Sequence, residues 1–584
     1  MLRRYVAPLR GRVIKNAVIK TTGTLLEVVL PTILAFIVDE VTPTRDTGRI
    51  VFWGIFMAGC SIAAWFLNVA ANHMASRTAS EVVSNIRQDL FCRSLDLSAR
   101  QLDEISVSSL ESRLTSDTYV IHRFLSATLR MGIRSLLLFL GGVFFCFYLS
   151  WRLALVLVVL VIPLFFVIRF VFSRAIPKFR QVQIKVDDMV QVIRENIRGI
   201  KVSKALNKTQ FEQERYSVVN EDVRQAEVAA IDLMALMSPL VNILLFGGLT
   251  VVLIYGAHLA GAGLVKTGTI IAFMSYFIQI TNSLLGLNRM FNIYNRSVAS
   301  TARITEVLDM PVDQSQAVPA AEASVLPSAS PDVPEVIFRH VTFSYLGKQN
   351  DLEDISFALY PGRTLGIMGA TGSGKSTIIR LLLRQYDVTS GEIQVRGVPL
   401  KEVPAAELKA LFGIVFQNDF LFGDTVRANV RFGRDLDDDE LMTALRHAQA
   451  DDFLADKDGG LDFKLASKGV NLSGGQKQRL LLGRALAGGP DVLLLDDASS
   501  ALDFKTEARL RGALRRHYET TTIIIAQRIS SVRQADEILF LEKGRAIAQG
   551  DHDHLMAVCE PYREIAHMQL GRTSRTSADA RQVP

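Results

Sequence analysis

Residues 364–384 read TLGIMGATGSGKSTIIRLLLR, and the organisation of the whole chain can be worked out from them. Residues 364–368 are a short apolar run of the kind that forms a buried strand. Gly369, Ala370, Thr371, Gly372, Ser373, Gly374, Lys375 and Ser376 make a glycine-rich loop, and residues 377–384, opening with Thr377, have the composition of a helix. Strand, loop and helix in that order are the setting that a phosphate-cradling loop requires. Glycines let backbone N–H groups close around phosphate oxygens, and the start of the helix adds partial positive charge. In such a loop Lys375 reaches the outer phosphates and Ser376 ligates Mg²⁺.

Downstream, residues 492–495 form a second apolar run that ends in Asp496 and Asp497. A buried parallel strand that delivers a carboxylate to a metal at its C-terminal end reads this way, and it makes Asp496 the Mg²⁺ partner. Between the two lies Leu472, Ser473, Gly474, Gly475 and Gln476, followed by the helix-forming residues 477–486. A serine and two glycines opening a helix offer another anion site. From residue 336 onward short β-rich runs alternate with helical ones, which predicts an α/β nucleotide-binding fold.

Upstream the text is different. Residues 310–335 shift to Pro, Ala and Ser, a composition that builds no core, and 311–334 is read as a linker. Before it, apolar stretches near the ~20 residues needed to cross a bilayer fall at 18–38, 50–71, 131–148, 153–171, 236–259 and 269–290. A hydrophobic fraction of 49% over 584 residues, with mean hydropathy +0.24, agrees with part of the chain sitting in lipid. Only a tight turn around Ser150 and Trp151 separates the third and fourth spans. Residues 73–130 and 172–235 are long, charged and helix-forming, and are read as helical hairpins.

Arg169, Arg174, Lys178 and Arg180 crowd the end of the fourth span, whereas the short segments 39–49 and 260–268 hold few basic residues, so the hairpins and the C-terminal domain face the cytoplasm. The basic N-terminus leads into a stretch too long for a signal-peptide core and is read as the inside end of the first span. The net charge of +6 reflects this topology, with no interleaved aromatic platform for nucleic acid. Cys60, Cys92, Cys146 and Cys559 are too scattered for a disulfide framework or a metal site and are read as buried thiols. The expected domains are a transmembrane domain over 1–310, a nucleotide-binding domain over 335–571 and a disordered tail over 572–584.

With LSGGQ between a phosphate loop and an acidic strand end, and six spans before them, the chain resembles an exporter-type ABC half transporter over essentially its whole length. The fold this implies is an α-helical membrane domain, six transmembrane helices with long cytoplasmic extensions, joined to an α/β P-loop nucleotide-binding domain. The resemblance implies ATP and Mg²⁺ as cofactors. It makes Tyr345 the aromatic that stacks on adenine, Gln417 the glutamine that senses Mg²⁺ together with Ser376 and Asp496, and Ser500, Ala501, Leu502 and Asp503 the loop linking two sites. It also implies that the Leu472–Gln476 signature closes over the γ-phosphate held by a second subunit. Residues 108–117 and 194–205 resemble the segments that place coupling helices on the nucleotide-binding domains.

Two positions depart from the family. Asp497 stands where a Glu polarises the attacking water, and one methylene less retracts the carboxylate by roughly 1 to 1.5 Å, enough to cost on the order of 10²-fold in rate. Gln527 stands where the family has a switch His, and an amide offers no positive charge. Ser467 and Lys468 stand just before the signature, where similar exporters often have a Glu that contacts the partner's coupling helices. The chain therefore resembles the degenerate-site subunit of bacterial heterodimeric multidrug exporters, whose partner is a second half transporter in a bacterial inner membrane. A homodimeric exporter, an ATP-gated regulatory or channel-like protein, and an importer on the same fold are the alternatives. For lipophilic cargo (drugs, lipids or peptides) the cavity candidates are Glu27, Asn242, Tyr276, Gln279 and Asn282; bonding between helices explains the last four about as well, and Glu27 is read either as a contact for cationic amphiphiles or protons or as a bond to a neighbouring helix. Arg134 and Arg169 are expected to snorkel.

Overall fold

The computed structural model describes residues 1–311, 325–345, 347–518 and 520–570. Most of the 311–334 linker and the whole 572–584 tail lie outside the described residues. The chain divides into two units: Met1–Leu95 with Ser108–Met310, and Asp96–Val107 with the residues from Pro311 onward.

The first unit is helical. Arg10–Phe36 packs against Thr47–Leu95, Ile133–Leu149 and Thr267–Leu308. Among the described residues, five helical runs are long and apolar enough to cross a membrane, within Leu2–Thr44, Thr47–Leu95, Val107–Leu149, Thr209–Gly261 and Thr267–Leu308. The expected fourth span falls inside the helix Trp151–Ala205, where several side chains lie outside the described residues. Phe52, Ile55, Phe56, Ile62, Trp65 and Phe66 are all exposed on one of these helices, so apolar groups cover its outer surface as lipid contact demands. The tight turn is present: one helix ends at Leu149, Ser150 caps the next, and its hydroxyl accepts from the Leu153 amide.

Local polar bonds position these helices. Asp39, just past the first span, accepts from the amides of Gly268 and Thr269 and so caps the last membrane helix. Buried Asp117 accepts from Ser300 Oγ at 2.9 Å and Arg303 Nε at 2.8 Å, fastening residues 113–117 to that same helix. Two expectations change here. Residues 108–117 stay in the helical unit, and it is the neighbouring helix Ala99–Ile105 that groups with the nucleotide unit. Residues 194–205 are the end of the continuous helix Trp151–Ala205, with no separate short helix. The cysteine expectation also needs correcting: Cys146 and Cys559 are buried, Cys60 is half-buried and Cys92 is exposed.

The second unit is α/β. Its strands are β1 Val336–Phe343, β2 Leu352–Leu359, β3 Thr364–Gly369, β4 Ser390–Val395, β5 Val398–Pro399, β6 Phe412–Val415, β7 Val492–Asp496, β8 Thr521–Ile525, β9 Glu537–Glu542 and β10 Arg545–Gly550. β2-β1-β4-β5 form an antiparallel sheet. The larger sheet runs β10-β9-β3-β8-β7-β6, parallel except at the β10 edge. β7 is buried at every position, which is why it reads as an unbroken apolar run. β3, β7 and β8 lie side by side and end at Gly369, Asp496 and Ile525, and ligand sites of open α/β sheets form at such C-terminal edges.

Candidate functional site

The loop after β3 has its shape because glycine permits it. Gly369 has φ +148° and Gly374 φ +95°. A Cβ at Gly374 would stand 2.5 Å from Leu352 Cδ2 and 2.9 Å from Asp351 O, so no side chain fits there. The helix Lys375–Leu382 starts from Gly374 with no side-chain cap, which leaves its first N–H groups to whatever enters the loop. Lys375 is 8% exposed, and its Nζ donates to Gly369 O at 2.9 Å and Ala370 O at 2.7 Å, so the charge is held inside the loop. Burial lowers its pKa, against the opposing pull of Asp496 and Asp497.

A cleft of about 290 Å³ opens on this loop. It brings together Tyr345, Thr371, Gly372, Gly374, Lys375, Ser376, Thr377, Gln417, Asp496, Asp497 and Gln527, residues from five separate stretches of sequence. Ser376 hydrogen-bonds the Asp496 side chain; burial raises the Asp496 pKa, while that bond, Arg380 and Lys375 lower it. Burial and then the Asp496 charge raise Asp497. A hydroxyl and a carboxylate in contact, beside a lysine and free amides, fit a magnesium-bound polyphosphate. Asp497 has φ +53°, a conformation that Asp tolerates better than most side chains. A larger cavity of about 560 Å³, bordered by Arg511, Arg515 and Tyr518, assembles no such donor set, so size does not select the site.

The cleft also contains residues that the sequence reading passed over. Asp351 Oδ2 accepts from the Tyr345 amide at 2.9 Å. Arg380 Nη1 donates to the Tyr345 hydroxyl at 3.2 Å, with the guanidinium 5.9 Å from the ring centroid. Arg380 sits on the loop helix between the pair Ile378, Ile379 and the run Leu381, Leu382, Leu383, and that charge within an apolar stretch was the available signal.

Ser473 heads the helix Gly474–Leu486 in a capping box: its Oγ accepts from the Gln476 amide and Gln476 Oε1 accepts from the Ser473 amide. Leu472 is half-buried and packs against the neighbouring apolar core. Gln478 holds the loop after β7, donating to Ser500 Oγ at 2.9 Å and accepting from the Ala501 amide at 2.9 Å. Arg528 donates to Ser500 O and Leu502 O. Asp503 caps the helix Phe504–His517 through the Thr506 amide and hydroxyl. Gln569, on the helix Glu560–Leu570, donates to Gln527 O at 2.9 Å and accepts from the Ile529 amide at 2.7 Å, bracketing Arg528. Ser467 and Lys468 are exposed, Lys468 with φ +64°.

In the helical unit the cavity candidates separate. Tyr276 is fully buried, its hydroxyl 2.7 Å from both Val28 O and Thr32 Oγ1, so it packs helices and lines no open surface. Glu27 pairs with Arg134 through both carboxylate oxygens, which favours the helix-bonding reading and replaces the expectation that Arg134 snorkels. Arg169, Asn242 and Asn282 are exposed, and Gln279 is half-buried with an unpartnered Oε1.

A phosphate-loop α/β unit joined to a bundle of membrane-length helices defines a nucleotide-driven membrane transporter. The family model for the ABC transporter transmembrane region matches residues 13–284, and the ABC transporter model matches 352–500. An uncharacterized ABC transporter ATP-binding protein of Mycobacterium tuberculosis is 31% identical over 97% of this chain and 98% of its own length. Bacillus subtilis YfiB, similarly described, is 31% identical over 96% of each chain. An ATP-dependent lipid A-core flippase of Sodalis glossinidius is 28% identical over 97% of each. The solved structure of a bacterial Atm1-family ABC exporter with ATP bound superposes with TM-score 0.78 at 24% identity, covering 97% of this chain and all of that one. The chain belongs to the ABC transporter family and has the exporter fold, which performs ATP-driven transport.

Proposed function

We propose that this chain is one half of a heterodimeric exporter whose own ATP site holds nucleotide and turns it over poorly, while its signature completes the competent site of a different partner subunit. The reading rests on one observation: Asp497 and Gln527 lie in the same cleft as Lys375 and Ser376, while Ser473 heads an intact signature helix. In the cleft, the loop amides and Lys375 hold the phosphates, Ser376, Gln417 and Asp496 hold Mg²⁺, and Tyr345 takes the adenine. Asp497 carries its carboxylate one methylene short of where a Glu would place it, and Gln527 offers an amide in place of an imidazolium. Leu472, Ser473, Gly474, Gly475 and Gln476 serve the partner's nucleotide, and Ser500 to Asp503 link the sites.

Residues 1–310 form the membrane domain in this reading and 335–571 the cytoplasmic nucleotide-binding domain, in a bacterial inner membrane. The cargo is lipophilic: drugs, lipids or peptides. The lipid named for the Sodalis relative supports an amphiphile, and the Glu27–Arg134 pair removes a free carboxylate that a cationic drug would seek. In the transporter purified from its native cell, a second, non-identical half transporter is expected by mass. Asp497→Glu with Gln527→His should raise ATP turnover by up to about 10²-fold at this chain's own site. An unchanged rate in the assembled transporter, or brisk turnover by a pair of identical wild-type chains, overturns the reading.

A further inference from the structure

Tyr345 is a wall with two sides. One side faces the nucleotide cleft beside Lys375 and Thr377, and its hydroxyl lies 3.3 Å from Thr377 Oγ1. The other faces a second cavity of about 630 Å³, whose lining includes Tyr386 and, from the short helix Ala99–Ile105, Arg100, Asp103 and Glu104. The Tyr386 ring stands edge-on to Tyr345, with centroids 5.0 Å apart at 90°. Its hydroxyl donates to Asp103 Oδ2 at 2.6 Å, a charge-assisted bond. Burial and the Asp103 carboxylate raise the Tyr386 pKa, so the phenol stays a donor at neutral pH.

The helix bearing Asp103 is well placed to carry a displacement. It is stiffened by a capping box between Ser98 and Gln101 and seated by buried Leu97 and Ile105. It belongs to the nucleotide unit, yet the chain enters it directly from Leu95 of the long helix Thr47–Leu95 and leaves it into Ser108, both of which belong to the membrane unit. A shift of the Tyr345 ring on stacking against a base has a short route outward: ring to ring, hydroxyl to carboxylate, and then along the chain.

We infer that Tyr386 is a positioning residue that reports occupation of the base side of the nucleotide cleft to the segment Asp96–Val107, separately from any signal carried by the phosphates. The inference rests on the reading of Tyr345 as the adenine-side aromatic, and it needs nucleotide binding alone, whether or not this site hydrolyses.

The test is amide hydrogen exchange of residues 96–107 in the full transporter in lipid nanodiscs, with Mg–ATP or with Mg–tripolyphosphate, which fills the phosphate loop and has no base. ATP should slow exchange in the segment by about tenfold, the scale of one hydrogen bond to a charged group, and tripolyphosphate should leave it unchanged. Tyr386→Phe, which keeps the ring, and Asp103→Ala, which keeps the tyrosine, should each abolish the ATP response while ATP affinity stays within about threefold. The inference is overturned if tripolyphosphate slows the segment as ATP does, or if Tyr386→Phe retains the response. Loss of ATP binding in the wild-type chain would end both this inference and the holding-site reading; bound ATP with no Tyr386-dependent response ends this one alone.

Discussion

Two helix starts in the nucleotide unit face opposite problems. The helix Lys375–Leu382 begins at a glycine in the left-handed region, with no side-chain cap, so its amides wait for an external anion. The helix Gly474–Leu486 begins at Ser473 and satisfies itself through a capping box. The first terminus gains its partner only by binding, whereas the second must give up a serine hydroxyl to bind. The contrast fits a division of labour in which this chain grips its own nucleotide firmly and offers its signature only when a phosphate is brought to it. Asp497 and Gln527, on which the proposed holding site rests, both line the cleft on the side of the first helix start.

The contrast breaks most sharply at Lys375. Lys375→Ala should weaken ATP binding to this chain by about 100-fold, read by equilibrium dialysis with labelled ATP, because the loop loses its only in-cradle charge. Affinity within threefold of wild type would mean the uncapped terminus is not the phosphate site. Ser473→Ala should do the reverse: ATP affinity of this chain unchanged, turnover of the assembled transporter reduced several-fold, and thermal stability lowered by about 1 kcal/mol through the lost cap. A fall in this chain's own ATP affinity would show that the two termini serve one site.

The smallest effect concerns pH. Asp496 and Asp497 have pKa values raised by burial, so the folded chain holds their protons more tightly than the unfolded chain does. Their contribution to stability is therefore present at acidic pH and is lost as pH rises through the carboxylate range, the opposite of a salt-bridged aspartate. Asp497→Asn should flatten that slope, by about 0.5 kcal/mol or less given its partial exposure, in urea melts between pH 4 and 7 without nucleotide. A steeper slope in the variant would contradict the burial account.

The sheet core and the cleft were legible because their signals are local. An unbroken apolar strand, a glycine-rich loop and a capped helix are written in consecutive residues, and the expected strand at 492–495 and helix at 477–486 differ from the observed elements only at their ends. What escaped depends on pairs far apart in the chain. Nothing near Glu27 announces Arg134, or near Asp103 Tyr386, and the partner decides whether each group is a ligand contact or a fastening. Tyr276 leaves both of its readings open in the sequence for the same reason: a hydroxyl in an apolar run looks free until Val28 and Thr32 are folded against it. The short helix Ala99–Ile105 was missed because its neighbour, residues 108–117, is also short and polar, and long-range contacts such as those of Arg113 and Asp117 with the helix Thr267–Leu308 separate them.

Gln569 closes on the backbone either side of Arg528 from the penultimate position of the helix Glu560–Leu570. Deleting the last few residues of that helix would untie the loop that carries Gln527 and Arg528, some forty positions away in sequence, without touching it. Affinity handles, fluorescent fusions and surface tethers are therefore safer beyond a generous spacer than grafted onto Leu570, where any pull would register as an altered ATPase.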